Sequence, residues 1–122
     1  MRLSPHFDSR EFSCSDGTPA PRRWLTKAQR LCIDYLEPLR AEFGAVHVVS
    51  GFRTAKRNQE VAGARSSYHL DVRGRFGVAA DVRCERGTPA DWYELLDGLG
   101  VPGLGRVDGG VHADNRRGRA RW

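Results

Sequence analysis

His69, Asp81 and His112 offer two imidazole nitrogens and one carboxylate oxygen. That set is complete for a catalytic zinc ion, which takes three protein ligands and leaves its fourth position to water. Zinc lowers the pKa of that water to about 7, so such a site supports hydrolysis at neutral pH. The three residues occupy distinct settings: Ser67-Tyr68-His69-Leu70, Gly77-Val78-Ala79-Ala80-Asp81-Val82 and Gly110-Val111-His112-Ala113-Asp114. They can act together only if the intervening elements bring them to one place.

Those elements can be read from periodicity and breakers. Residues 1–22 read as an irregular N-terminal arm, pinned to the body by His6, Phe7 and Phe12. A helix follows, with Thr26 as its cap. Ala28, Leu31, Cys32, Tyr35, Leu36, Leu39 and Phe43 recur at three- and four-residue steps. Pro38 should kink it near Asp34 or end its regular part, and Gly44 should stop it. Ala45–Ser50 is a β-branched run that reads as a strand. Residues 54–62 suit a short helix ended by Gly63, and Gly77–Cys84 a second strand. Thr88-Pro89-Ala90-Asp91 is a helix start, with a threonine cap and an acid three residues on. Asp108-Gly109-Gly110 marks a hairpin joining 103–107 to 110–115. The order predicts a single α+β domain over 1–122, with helices packed against a short antiparallel or mixed sheet that bears the metal site.

Strand alternation puts His112 and Asp114 on one face, away from Val111 and Ala113. Asp81 lies among small apolar residues, where a carboxylate is costly unless paired or bound to a cation. A salt bridge to an arginine would satisfy it equally well. Asp71 is a competing carboxylate, but it lacks a strand setting. His6 and His47 read as structural.

The chain has 122 residues, enough for one domain with a core of its own. No apolar run approaches a membrane span, and the first residues lack a secretory leader. Synthesis in the cytoplasm is therefore expected, with no membrane partner and a monomeric state. Twenty Lys and Arg against 15 Asp and Glu leave a formal charge of +5. That balance fits a solvated surface, or attraction to a polyanion such as nucleic acid or an anionic wall polymer. Arg116, Arg117, Arg119 and Arg121 have no interleaved aromatics and no nucleic-acid motif, so no nucleic-acid partner is expected. Cys14, Cys32 and Cys84 form no Cys-x-x-Cys pair, which disfavours a zinc knuckle or a disulfide framework. Cys32 is expected in the core.

These motifs, taken in order, resemble the zinc D-alanyl-D-alanine carboxypeptidase family of metallopeptidases, in particular its small single-domain members, often phage-encoded. The family's serine two residues before a histidine matches Ser67 and His69. Its Gly-x-Ala-x-Asp segment matches Gly77 to Asp81. Its second histidine, followed two residues later by Asp, matches His112 and Asp114. Ser50-Gly51-Phe52-Arg53 matches an upstream turn, followed by Asn58 and Gly63-Ala64. His6-Phe7, Glu11-Phe12-Ser13-Cys14 and Trp122 also fit. The resemblance implies one zinc ion on His69, Asp81 and His112. It implies peptidoglycan stem peptide as the substrate, cleaved as a D,D-carboxypeptidase or a cross-link endopeptidase. Arg53 would hold a carboxylate or the developing oxyanion, with Ser67 and Tyr68 at the substrate. Action on the cell wall after release, or within a phage particle, would follow.

Two departures stand out. The gap between His69 and Asp81 is eleven residues, longer than the family's usual one, and suggests an inserted loop within 71–76. Gly109 occupies the position, three before His112, where relatives often carry a proton-transfer residue. Asp114 and Asp108 are the substitutes, although Asp114 could equally orient a ligand and Asp108 could simply serve the turn. The alternative to an enzyme is a non-catalytic binding or phage structural module with the same fold.

Overall fold

The computed structural model describes residues 1–122. The N-terminal segment is ordered rather than irregular. Arg2–Ser4 (β1) and Phe7–Asp8 (β2) pair antiparallel, and a 3-10 turn follows over Ser9–Phe12. Leu3, Phe7 and Phe12 are buried and anchor it. His6 stays exposed and ties the arm to Glu37 through Nδ1 at 2.7 Å.

The first helix, α1, spans Arg22–Leu31 and starts four residues before Thr26. Pro21 precedes it, and the buried stripe begins with Trp24 and Leu25. Thr26 is an interior residue whose hydroxyl donates back to the Arg22 carbonyl. Cys32–Leu36 is a π-helical turn leading into α2, Glu37–Phe43. The Glu37 N–H reaches back five residues to the Cys32 carbonyl. This widened turn accommodates Pro38, which has no N–H to give and would crowd the carbonyl four residues back. Gly44 ends the helix at φ 79°.

Val46–Ser50 is β3, Ala55–Glu60 is α3, Ala79–Cys84 is β4 and Pro89–Gly98 is α4. Helix α3 leaves through Ala62 in the left-handed region (φ 54°), not through Gly63. Thr88 and Asp91 form the expected reciprocal cap of α4. Gly103–Val107 (β5) and Gly110–Asp114 (β6) form the hairpin. A further strand, Ala120–Arg121 (β7), lies parallel to β5. The sheet order is β3-β4-β6-β5-β7, antiparallel except at β7.

Alternation divides the sheet into two faces. Ala80, Val82, Val111, Ala113 and Leu104 are fully buried in one core cluster with Leu31, Leu36, Leu39, Trp92 and Leu96 of the helices. The opposite face presents Ser50, Asp81, His112 and Gly105 as one cross-strand row, since Ser50 pairs with Asp81, Asp81 with His112 and His112 with Gly105. All three cysteines are free thiols, and Cys32 is in the core as expected. No helix is long and apolar enough to cross a membrane.

Candidate metal centre

The β4–β6 register sets Asp81 beside His112, with Oδ1 2.9 Å from Nδ1. His69 arrives from a loop. Its Nε2 lies 3.4 Å from the same Asp81 oxygen. The three potential ligand atoms are within 4.8 Å of one another. His69 is 3% exposed and His112 8%.

The loop carrying His69 is fixed from several sides. Its main-chain carbonyl accepts from Arg53 N–H at 2.9 Å, and its N–H is taken by Ser67 Oγ at 3.1 Å. Arg53 and Leu70 form a parallel bridge. Ser67 thus braces the loop. The neighbouring Tyr68 ring has the Arg75 and Arg116 guanidinium carbons each 4.5 Å from its centroid.

Each imidazole has its outer nitrogen engaged by a group that can only accept. His69 Nδ1 lies 2.7 Å from the Gly51 carbonyl, and His112 Nε2 lies 2.7 Å from Asp114 Oδ2. His69 Nδ1 therefore carries a proton and its Nε2 lone pair turns inward, whereas His112 has a carboxylate on each nitrogen and, with Nε2 held by Asp114, offers the Nδ1 lone pair to an ion. Asp81 Oδ1 adds another. Atoms of this kind 2.9 and 3.4 Å apart repel unless a positive centre lies among them. The 3.4 Å separation matches the edge of a tetrahedron, about 3.3–3.6 Å for ligands at about 2.0–2.2 Å from zinc, and the 2.9 Å contact would open by a few tenths of an ångström around an ion. The donor set therefore fits a divalent ion.

Without an ion, a proton partly fills that role. Burial disfavours the charged form of His112, but Asp114 and Asp81 outweigh it and raise its pKa above 6.5. Burial also pushes the Asp81 carboxyl upward, yet His112 and His69 hold it below the usual carboxylate range. Asp114 is fully buried. Against that burial, Arg116 and His112 lower it to about 2. Arg116 Nε and Nη2 each donate to an Asp114 oxygen at 2.7 Å.

Arg53 also belongs to the site. Its Nη2 is 3.5 Å from Asp81 Oδ2, while Ser50 Oγ and Asn58 Oδ1 take Nε and Nη1. Asn58 is buried, and Gly63 leaves the space its amide fills. Arg53, Asp81, Asp108, Arg57 and Glu11 line one cleft of about 350 Å³, with Val49 and Val61 among its apolar residues. Asp108 is exposed at the β5–β6 turn. Asp114 lies on the outer edge of His112, away from the lone pairs. Asp71 is absent from the cluster and is clasped by Arg23 Nη2 at 2.6 Å.

Sequence reading gave no role to Asn58, Arg116 or the Gly51 carbonyl. Asn58 had a signal in its fixed place after the Arg53 turn. The other two had none, because their contacts are made only by the folded chain.

Fold and site together define a small α+β domain with a His-Asp-His cluster that could hold a metal ion. A family model described as peptidase M15 matches residues 5–114. This span contains all three clustered residues and both strands that pair at the site, and the chain belongs to the M15 peptidase family. M15 peptidases are metal-dependent. No curated protein and no solved structure matched the chain.

Proposed function

We propose that the protein is a zinc-dependent peptidase that hydrolyses an amide of the peptidoglycan stem peptide, as a D,D-carboxypeptidase or a cross-link endopeptidase. The observation that carries this reading is the convergence of three potential ligand atoms, one of them from Asp81, which lines a cleft together with Arg53. His69, Asp81 and His112 would hold one ion. Two imidazoles and a carboxylate without thiolate suit zinc. The ion supplies Lewis acidity when bound, polarising a carbonyl and lowering the pKa of a water.

The remaining work falls to the chain. Arg53 is fixed by Ser50 and Asn58, so its guanidinium is oriented before substrate arrives. It can hold a carboxylate or charge growing on the attacked carbonyl oxygen. Asp114 would hold a proton on His112 Nε2 when an ion takes Nδ1. With both of its oxygens engaged, it reads as an orienting group. Asp108 reaches the same cleft in the open and is the carboxylate free to move a proton to the leaving amine. Tyr68 and Ser67 border the site through the His69 loop.

Gly109 supports a second reading. It supplies no side chain three residues before His112, so the domain could bind stem peptide and metal without cleavage. Incubation of the purified protein with peptidoglycan fragments separates the two. Release of D-alanine or new amine ends, abolished by chelator and restored by zinc, supports the peptidase. Stoichiometric bound zinc with no cleavage supports the binding module.

A further inference from the structure

We propose that Gly103, Gly105 and Trp122 form a clamp that fixes the ring orientation of His112, making Trp122 a positioning residue of the metal centre. The inference rests on the reading of His112 as a ligand. It starts from two glycines that backbone geometry does not explain. Neither Gly103 nor Gly105 has positive φ, unlike eight other glycines of the chain. What they provide is space.

Gly103 lies opposite Asp114 and Gly105 opposite His112. Directly paired residues share a sheet face. A Cβ on Gly103 would overlap the Asp114 carboxylate, and one on Gly105 would overlap the Trp122 indole. The bare strand therefore lets two groups close on one imidazole. From the edge, Asp114 Oδ2 takes Nε2 at 2.7 Å. Across its surface, the indole centroid lies 4.9 Å from the imidazole centroid at 48°. The indole extends the row Ser50-Asp81-His112 over the position where β5 has no side chain.

The main chain holds the indole there. Trp122 N–H donates to Leu104 at 3.0 Å, and Arg106 N–H donates to Trp122 at 3.1 Å, so the bonds flank Gly105 on both sides. Arg116 links the two jaws. It binds Asp114 through Nε and Nη2 and lies 5.4 Å from the indole ring centre. Yet Trp122 is 51% exposed. An aromatic ring half in water contributes little core burial, so its removal should loosen His112 more than it destabilises the fold.

A rotation of the imidazole about its bond to Cβ would break the Asp114 hydrogen bond and turn Nδ1 away from Asp81. Clamping forbids this before an ion arrives, and such preorganisation of a ligand by its neighbours commonly changes metal affinity 10–100-fold.

The test compares wild type with Trp122→Ala, Trp122→Phe and Gly105→Ala. Zinc affinity is read by competition with a chromophoric chelator. Ring orientation in the metal-free proteins is read from the nuclear Overhauser contacts of the His112 ring protons. Wild type should show a single ring orientation. Trp122→Ala should show averaging between orientations and about 10-fold or weaker zinc binding, and Trp122→Phe should recover most of both. Gly105→Ala should resemble Trp122→Ala if it folds. A folded Trp122→Ala protein with one ring orientation and zinc affinity within twofold of wild type overturns the clamp. His112→Ala serves as the control for the underlying reading. If it binds zinc like wild type, the ligand assignment fails, whereas loss there with no effect at Trp122 sinks only the clamp.

Discussion

Replacing Asp114 with Asn tests whether the buried carboxylate beside His112 is as consequential as its contacts indicate. The substitution keeps an oxygen for His112 Nε2 but removes the charge that Arg116 binds through two 2.7 Å hydrogen bonds. The Asp114 pKa falls from 3.8 to about 2 in the folded protein. At about 1.4 kcal/mol per pKa unit, the folded state favours the ionised form by roughly 2 kcal/mol. The side chain is completely buried, so solvent screening reduces this little. A depressed folded pKa contributes stability above the unfolded value, and that contribution is lost as pH falls through the folded value. Asp114→Asn should therefore lower metal-free stability at pH 7 by roughly 2 kcal/mol, a Tm decrease on the order of 8 °C for a chain of this size. The gap from wild type should close between about pH 5 and pH 2. Urea unfolding of both proteins across that range measures it. An unchanged midpoint at pH 7, or a gap that stays constant down to pH 2, refutes the reasoning.

Three further outcomes follow from the same geometry. Zinc must displace a proton from His112, whose metal-free pKa lies above 6.5; affinity should therefore fall about tenfold per pH unit once pH drops below that raised value, as calorimetric titration at several pH values would show. Asp71→Asn should leave zinc affinity within about twofold and cost no more than about 1 kcal/mol, because its partner Arg23 is half exposed, whereas Asp81→Asn should weaken zinc at least about 100-fold in chelator competition. Burial pushes the Cys32 thiol up to about 12 and Cys84 up to about 11, so both should resist a thiol reagent at pH 7 until the protein unfolds, and reductant should not move the Tm of a chain with three free cysteines.

Features with local causes were legible in the sequence. The Thr88 cap, the Asp-Gly-Gly turn and the apolar stripe of α1 each depend on residues a few positions apart. The start of α1 was misplaced because Thr26 is a good cap residue in isolation. Trp24 and Leu25, already in the core stripe, draw the helix back to Arg22. The π turn was visible only as a kink at Pro38. The N-terminal hairpin and β7 escaped because two- and three-residue strands have no periodicity to read. Long-range pairing makes them, and Trp122 reaches His112 only because β7 lies along β5.

The candidate site had the same limit. Alternation put His112 and Asp114 on one face, and the structure agrees. Nothing in either local run could place Asp81 opposite His112, because register belongs to the pair of strands. The chain fixes that register through its core. Ala80 faces Ala113 and Val82 faces Val111 on the apolar side. A slip of one residue would turn one strand's apolar set toward the site face and its polar residue into the core. It would leave Asp81 or His112 buried among leucines without its partner. The same two-residue period that packs Val82 and Val111 against the helices therefore brings the carboxylate to the imidazole. Core and candidate metal centre are two faces of one register, and a mutation that shifts the strands must disturb both.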